Sequence, residues 1–182
     1  MSEGATLHIH FMQEALHEAR CALSTADVPV GAVVVVDGMI IGRGRNQRQA
    51  LRDPTAHAEV LALREAAQQL RSWRLTTATL YVTLEPCIMC LGAAILSRIA
   101  GLVFGCHDPK AGACGSRFDI LGAQQLNHTF PVITGVCQAE ARTLLTTFFQ
   151  RLRRKNPLEC SGSHDSTAGR KQRRDGRAVE GG

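Results

Sequence analysis

Two short segments hold residue types that can act together on a metal ion. His57-Ala58-Glu59 opens one predicted helix and Pro86-Cys87-Ile88-Met89-Cys90 opens another, each following a predicted strand. Cys87 and Cys90 are three residues apart, so on a first helical turn both sulfurs point to one side. Two thiolates and one imidazole suit Zn²⁺, which takes soft sulfur and borderline nitrogen in a tetrahedral array. Three protein ligands leave the fourth position to water, the arrangement of a catalytic ion. Helix N-termini favour negative charge and therefore thiolates. Two thiolates neutralise the ion, so a carboxylate must move protons. Glu59, two residues from His57, is the candidate shuttle. A closed Cys₃His structural site, with Cys106, Cys114 or Cys137 as fourth ligand, is the alternative, and it leaves Glu59 unexplained.

The elements that must position these residues follow from periodicity. Met12, Ala15, Leu16, Ala19 and Leu23 form one helical stripe over 7–25. After Pro29, the run Val30 to Val36 is too β-branched to be anything but a buried strand, and Asp37-Gly38 turns it into a partner strand, 39–44. Asp53-Pro54-Thr55 supplies capping side chains ahead of a helix to about Leu70. A strand over 78–84, a helix from Pro86 to Ser97 and a strand over 99–106 come next. A Gly- and Ala-rich loop over 108–116, a short helical stretch around 118–126 and a strand over 131–134 follow. The last helix, 138–154, carries Ala141, Leu144, Leu145, Phe148, Phe149 and Leu152 on one face. This order implies an α/β sheet covered by helices on both faces.

The chain has 182 residues, 45% of them hydrophobic, enough for one ordinary core without a disulfide framework. Its net charge of +5 is unevenly placed. Residues 151–182 hold nine Lys/Arg against four Asp/Glu, while 1–150 hold twelve of each. Domain organisation is read as a catalytic domain over 1–156 and a disordered basic tail over 157–182, poor in residues to bury. The tail suits an anionic partner, or serves solubility alone. Met1-Ser2-Glu3-Gly4 opens no secretory signal and no apolar run approaches a membrane span, so the protein reads as cytoplasmic. Seven cysteines in a reducing compartment are free thiols or ligands. Cys21, Cys106 and Cys137 lie in apolar segments and read as small core residues, Cys160 as an exposed thiol. Histidines other than His57 read as surface or loop residues, with His107 closest to the site.

The compound His-x-Glu and Pro-Cys-x-x-Cys signature resembles that of zinc nucleobase deaminases. More narrowly, residues 7–155 resemble the bacterial tRNA-specific adenosine deaminases. The matching stretches are Asp27 to Val33, Gly44-Arg45-Asn46, Asp53 to Glu59, Glu85 to Cys90, Asp108 to Ala113 with Gly115-Ser116, and Phe148-Phe149 followed by basic residues. That resemblance implies a three-layer α/β/α cytidine deaminase-like fold with a five-stranded mixed sheet, in a homodimer with one Zn²⁺ per subunit. It implies hydrolytic conversion of adenosine to inosine at the wobble position of a tRNA anticodon stem-loop, by a zinc-bound hydroxide with Glu59 as proton shuttle. In such a site Asn46 contacts the flipped base and the Ala58 backbone reads its edge. Asp108, Lys110, Phe149 and Arg153 are candidate contacts to flanking nucleotides. Leu84 departs from the family, where an aromatic is common, and the tail is an addition. Two rival readings stay open: a small-molecule deaminase acting on guanine, cytosine or a nucleotide, and a catalytically inert partner subunit.

Overall fold

The valine run and its two-residue turn set the centre of the molecule. In the computed structural model, which describes residues 3–123 and 125–155, β1 (Gly31–Val36) and β2 (Met39–Arg45) form the expected antiparallel hairpin. Asp37 and Gly38 both take positive φ, 49° and 75°, as a type I′ turn demands. β3 (Thr79–Leu84) pairs antiparallel with β1, and β4 (Gly101–Cys106) and β5 (Val132–Thr134) continue parallel to β3. The mixed five-stranded sheet has the order β2-β1-β3-β4-β5.

Strand alternation sorts the core into two layers. Ala32, Val34, Leu80, Val82, Leu102 and Phe104 pack under α3 (Ala58–Gln69) and α4 (Ile88–Leu96). Val33, Val35, Tyr81 and Val103 face α1 (Glu3–Ala22) and α5 (Gln138–Lys155). The result is the expected three-layer α/β/α fold. Because β2 and β3 both run antiparallel to β1, their carboxyl ends lie at one end of the sheet. Helices α3 and α4 therefore start from the same end, where ligand sites of α/β sheets form.

Tertiary contacts changed several local expectations. The 118–126 stretch is not helical among the described residues. Arg117 and Phe118 donate to the Gly112 carbonyl and Ile120 to Ala113, which ties the segment back onto the preceding loop. A one-turn helix, α2 (Arg48–Leu51), appears instead, its Gln49 amide held by buried Asp27 at 2.8 Å, a partner 22 residues away. Asp53 and Thr55 do not cap α3: the Asp53 carboxylate accepts from the Thr55 amide and hydroxyl in a turn of its own. The first helix starts at Glu3, not Leu7. Cys106 is buried as expected, whereas Cys21 and Cys137 are only half-buried. The predicted tail, 157–182 with Cys160, lies outside the described residues.

Candidate metal centre and active site

The site is assembled from two helix tips. His57 occupies the N-cap position of α3 and Cys87 that of α4, both with extended backbone, and Cys90 lies in the first turn of α4. Neither helix is capped by its own N-cap side chain. At α3 the cap comes from Asn46, which follows β2: its Oδ1 accepts from the Ala58 amide at 3.1 Å. The acceptor facing that amide must be the oxygen, which leaves the Asn46 carboxamide N–H₂ to donate elsewhere. Close helix–strand contact sets the height of α3. A Cβ at Gly44 would lie 2.1 Å from the Ala58 carbonyl oxygen, so only glycine lets the helix start so near the sheet.

These elements bring three candidate ligands into a triangle. His57 Nδ1 lies 3.8 Å from Cys87 Sγ and 3.4 Å from Cys90 Sγ, and the sulfurs are 3.7 Å apart. A tetrahedral ion with Zn–S and Zn–N bonds of about 2.3 and 2.0 Å sets S–S and S–N edges of about 3.8 and 3.5 Å, so the donor set fits a metal. Among the described residues this is the group of His, Cys, Asp and Glu side chains that could hold one, and no fourth cysteine joins it. Cys87 is pulled down to about 4, first by the Cys90 thiol hydrogen-bonding to it and then by His57. The same contact, with burial, pushes Cys90 up.

Glu59, one residue into the first turn of α3, is 4% exposed. Burial lifts its carboxyl to about 7, against the pull of His57 and of a hydrogen bond with Cys90. A carboxyl titrating there can both accept and return a proton at neutral pH.

Three comparisons bear on this geometry. The family model of the MafB19-like deaminases matches residues 7–153. The tRNA-specific adenosine deaminase of Bacillus subtilis is 46% identical over 145 residues, covering 80% of this chain and 90% of that one. That of Haemophilus influenzae is 48% identical over 149 residues, covering 81% and 86%. A structure solved in work on A-to-I editing by tRNA:A34 deaminases superposes with a TM-score of 0.73 at 43% identity, covering 75% of this chain and 99% of that chain. This chain belongs to the tRNA-specific adenosine deaminase family. A more distant fold neighbour is the guanine deaminase of Nitrosomonas europaea, with a TM-score of 0.65 at 28% identity, covering 77% of this chain and 83% of that one.

In this member of the family, Glu85 holds the loop beside the metal group, and motif reading passed over it. Its buried carboxylate accepts from the amides of Asp108 (3.0 Å), Cys114 (2.9 Å) and Ser116 (3.1 Å) and from the Ser116 hydroxyl, with His107 Nδ1 at 3.1 Å. A Cβ at Gly112 would meet the Glu85 Cδ at 2.4 Å. The Ala113 amide donates to the Pro86 carbonyl, and Gly112 bridges to Cys87. The loop bearing Asp108 and Lys110 is thus stapled to the segment that carries Cys87. The signal available in sequence was an acid directly before Pro86-Cys87 and a distant Gly/Ser-rich loop, which is too little to pair them.

The other predicted residues are spread. Asp108 is half-buried and Lys110 exposed, both on that loop. Phe149, with its ring edge-on to Phe148, and Arg153 lie exposed on α5. Leu84 is half-buried and packs against both cores.

Proposed function

We propose that this protein hydrolytically deaminates adenosine to inosine at the wobble position of a tRNA anticodon. The observation that supports this most is the buried Glu59 beside a His57–Cys87–Cys90 triangle of metal-binding dimensions, in a chain so similar to tRNA-specific adenosine deaminases. His57, Cys87 and Cys90 would hold one Zn²⁺ per subunit, which would supply the Lewis acidity that makes water nucleophilic at neutral pH. Glu59 takes the proton of the attacking water and gives it to N1 as the C6–O bond forms; it then takes the proton of the new C6 hydroxyl and gives it to the amino group, which leaves as ammonia. Asn46, fixed by the Ala58 amide, offers its N–H₂ to a purine ring nitrogen, with the Ala58 backbone along the same edge. Asp108 and Lys110 on the stapled loop, with Phe149 and Arg153 on α5, contact the flanking nucleotides. The active unit is a homodimer and works in the cytoplasm. No helix among the described residues is long and apolar enough to cross a membrane.

The likeness to a guanine deaminase supports one rival, deamination of a free base. Both readings are tested by incubating purified, zinc-loaded protein with an anticodon stem-loop carrying a wobble adenosine, and in parallel with adenosine, guanine and cytidine. Inosine in the stem-loop is the expected product. Turnover of guanine or a free nucleoside alone removes the tRNA reading.

A further inference from the structure

The apolar stripe of α5 is longer than the core that covers it. Ala141 is buried and Leu144 and Phe148 are half-buried, but Leu152 is 49% exposed. Leu23, in the 3-10 turn just past the end of α1, is 38% exposed. Leu23, Leu144, Phe148 and Leu152 line one groove of about 870 Å³ between the end of α1 and α5, the size of a ligand-binding cleft. Arg20, Arg151 and Arg154 rim it, with Glu140 the single acid, and Glu140 is paired to Arg20 at 3.7 Å. Among the described residues no carboxylate pairs with Arg151 or Arg154.

An apolar floor with an aromatic wall and a guanidinium rim is complementary to unpaired ribonucleotides. Bases stack on such walls and phosphates accept from arginine. We infer that this groove is a second RNA-contact surface, distinct from the metal centre, which holds unpaired nucleotides of the substrate; this rests on the tRNA reading above. Other occupants fit less well. A second copy docked face to face would set arginines against arginines. The chain's own residues 156–182 offer only Leu158 and Val179 as large aliphatic side chains to fill the floor.

The test is filter binding of the full-length, zinc-loaded protein to the wobble-adenosine stem-loop across a salt series. The variants are the double charge reversal Arg151→Glu/Arg154→Glu, the charge-preserving Arg151→Lys/Arg154→Lys, and Phe148→Leu. The charge reversal should weaken binding at least tenfold and flatten the slope of log K against log salt by about 1.4–1.8, since each of the two phosphate contacts contributes about 0.7–0.9. Its metal content and its kcat at saturating RNA stay unchanged, and the lysine pair keeps the slope. Phe148→Leu loses affinity at an unchanged slope. An unaltered affinity and slope in the charge reversal overturns the inference. So does a variant that only shifts dimer to monomer in sedimentation, or a truncation after Lys155 that raises RNA affinity tenfold, which would show the tail to be the occupant. Binding is read apart from turnover. Groove-dependent RNA binding without inosine sinks the wobble reading alone, and inosine formation at RNA concentrations well below saturation that is indifferent to both arginines sinks the groove alone.

Discussion

Glu59 and Glu85 are both buried carboxylates near the metal triangle, and their surroundings push them in opposite directions. Glu59 is lifted to about 7 because burial outweighs the cations and donors around it. Replacing it with glutamine keeps its volume and removes proton transfer. Glu59→Gln should cut inosine formation by about 10³-fold or more while metal stoichiometry by mass spectrometry is unchanged; near-normal turnover would strip Glu59 of its role. For Glu85, burial raises the carboxyl, but hydrogen bonds from Ser116, the Asp108 and Cys114 amides and His107 outweigh it, and the net shift is downward. A carboxyl depressed in the fold stabilises above its ordinary value of 4.5 and loses that contribution as pH falls through the lower, folded value. Glu85→Gln faces several donors with a donor of its own and should cost about 2–4 kcal/mol at pH 7, a fall in Tm of about 5–15 °C. That gap between wild type and variant should close as the pH drops below 4.5. A gap that widens in acid would show that the carboxylate does not pin the loop.

At the level of elements, the strands were the most legible because their signal is local: β-branched runs and an Asp-Gly turn decide pairing within a few residues. Helix starts were not. The α3 cap is Asn46, twelve residues upstream, and the α2 cap is Asp27, so neither lies in the window where a capping motif is sought. The same dependence gives Asn46 a capping job beside its proposed contact with the base, and a way to separate the two. Asn46→Asp keeps an acceptor for the Ala58 amide but removes the N–H₂ donor. Its Tm should stay within a few degrees of wild type, whereas kcat/KM on the stem-loop should fall about 100-fold. Asn46→Ala loses the cap as well and should cost a further 0.5–2 kcal/mol, about what an N-cap contributes. Equal activity in Asn46→Asp and wild type would reduce Asn46 to a cap.

For the whole molecule, binding of the proposed zinc would be coupled to folding, because the triangle exists only when α3 and α4 start from the same end of the sheet. A ligand that binds the folded chain a hundredfold above its Kd adds about 2.7 kcal/mol. Chelation at neutral pH should therefore lower Tm by at least about 5 °C and stop deamination, with both restored by zinc. A calorimetric scan that is indifferent to complete metal removal would contradict this coupling. The sequence by itself determined the candidate ligand types, the order of the five strands and the four long helices, and the two apolar faces, because residue chemistry and periodicity are carried in the chain locally. Only the tertiary structure decided that the two helix tips meet at metal-binding distance, that Asn46 and Asp27 serve as remote caps, and that the 118–126 segment gives up helix for hydrogen bonds to its own loop. It also decided that Glu85 clamps the loop beside Cys87 and that Leu23, just past α1, and the end of the α5 stripe stay partly uncovered. Each of these depends on contacts between residues far apart in the chain, and which partner wins is settled by packing geometry that no local pattern encodes.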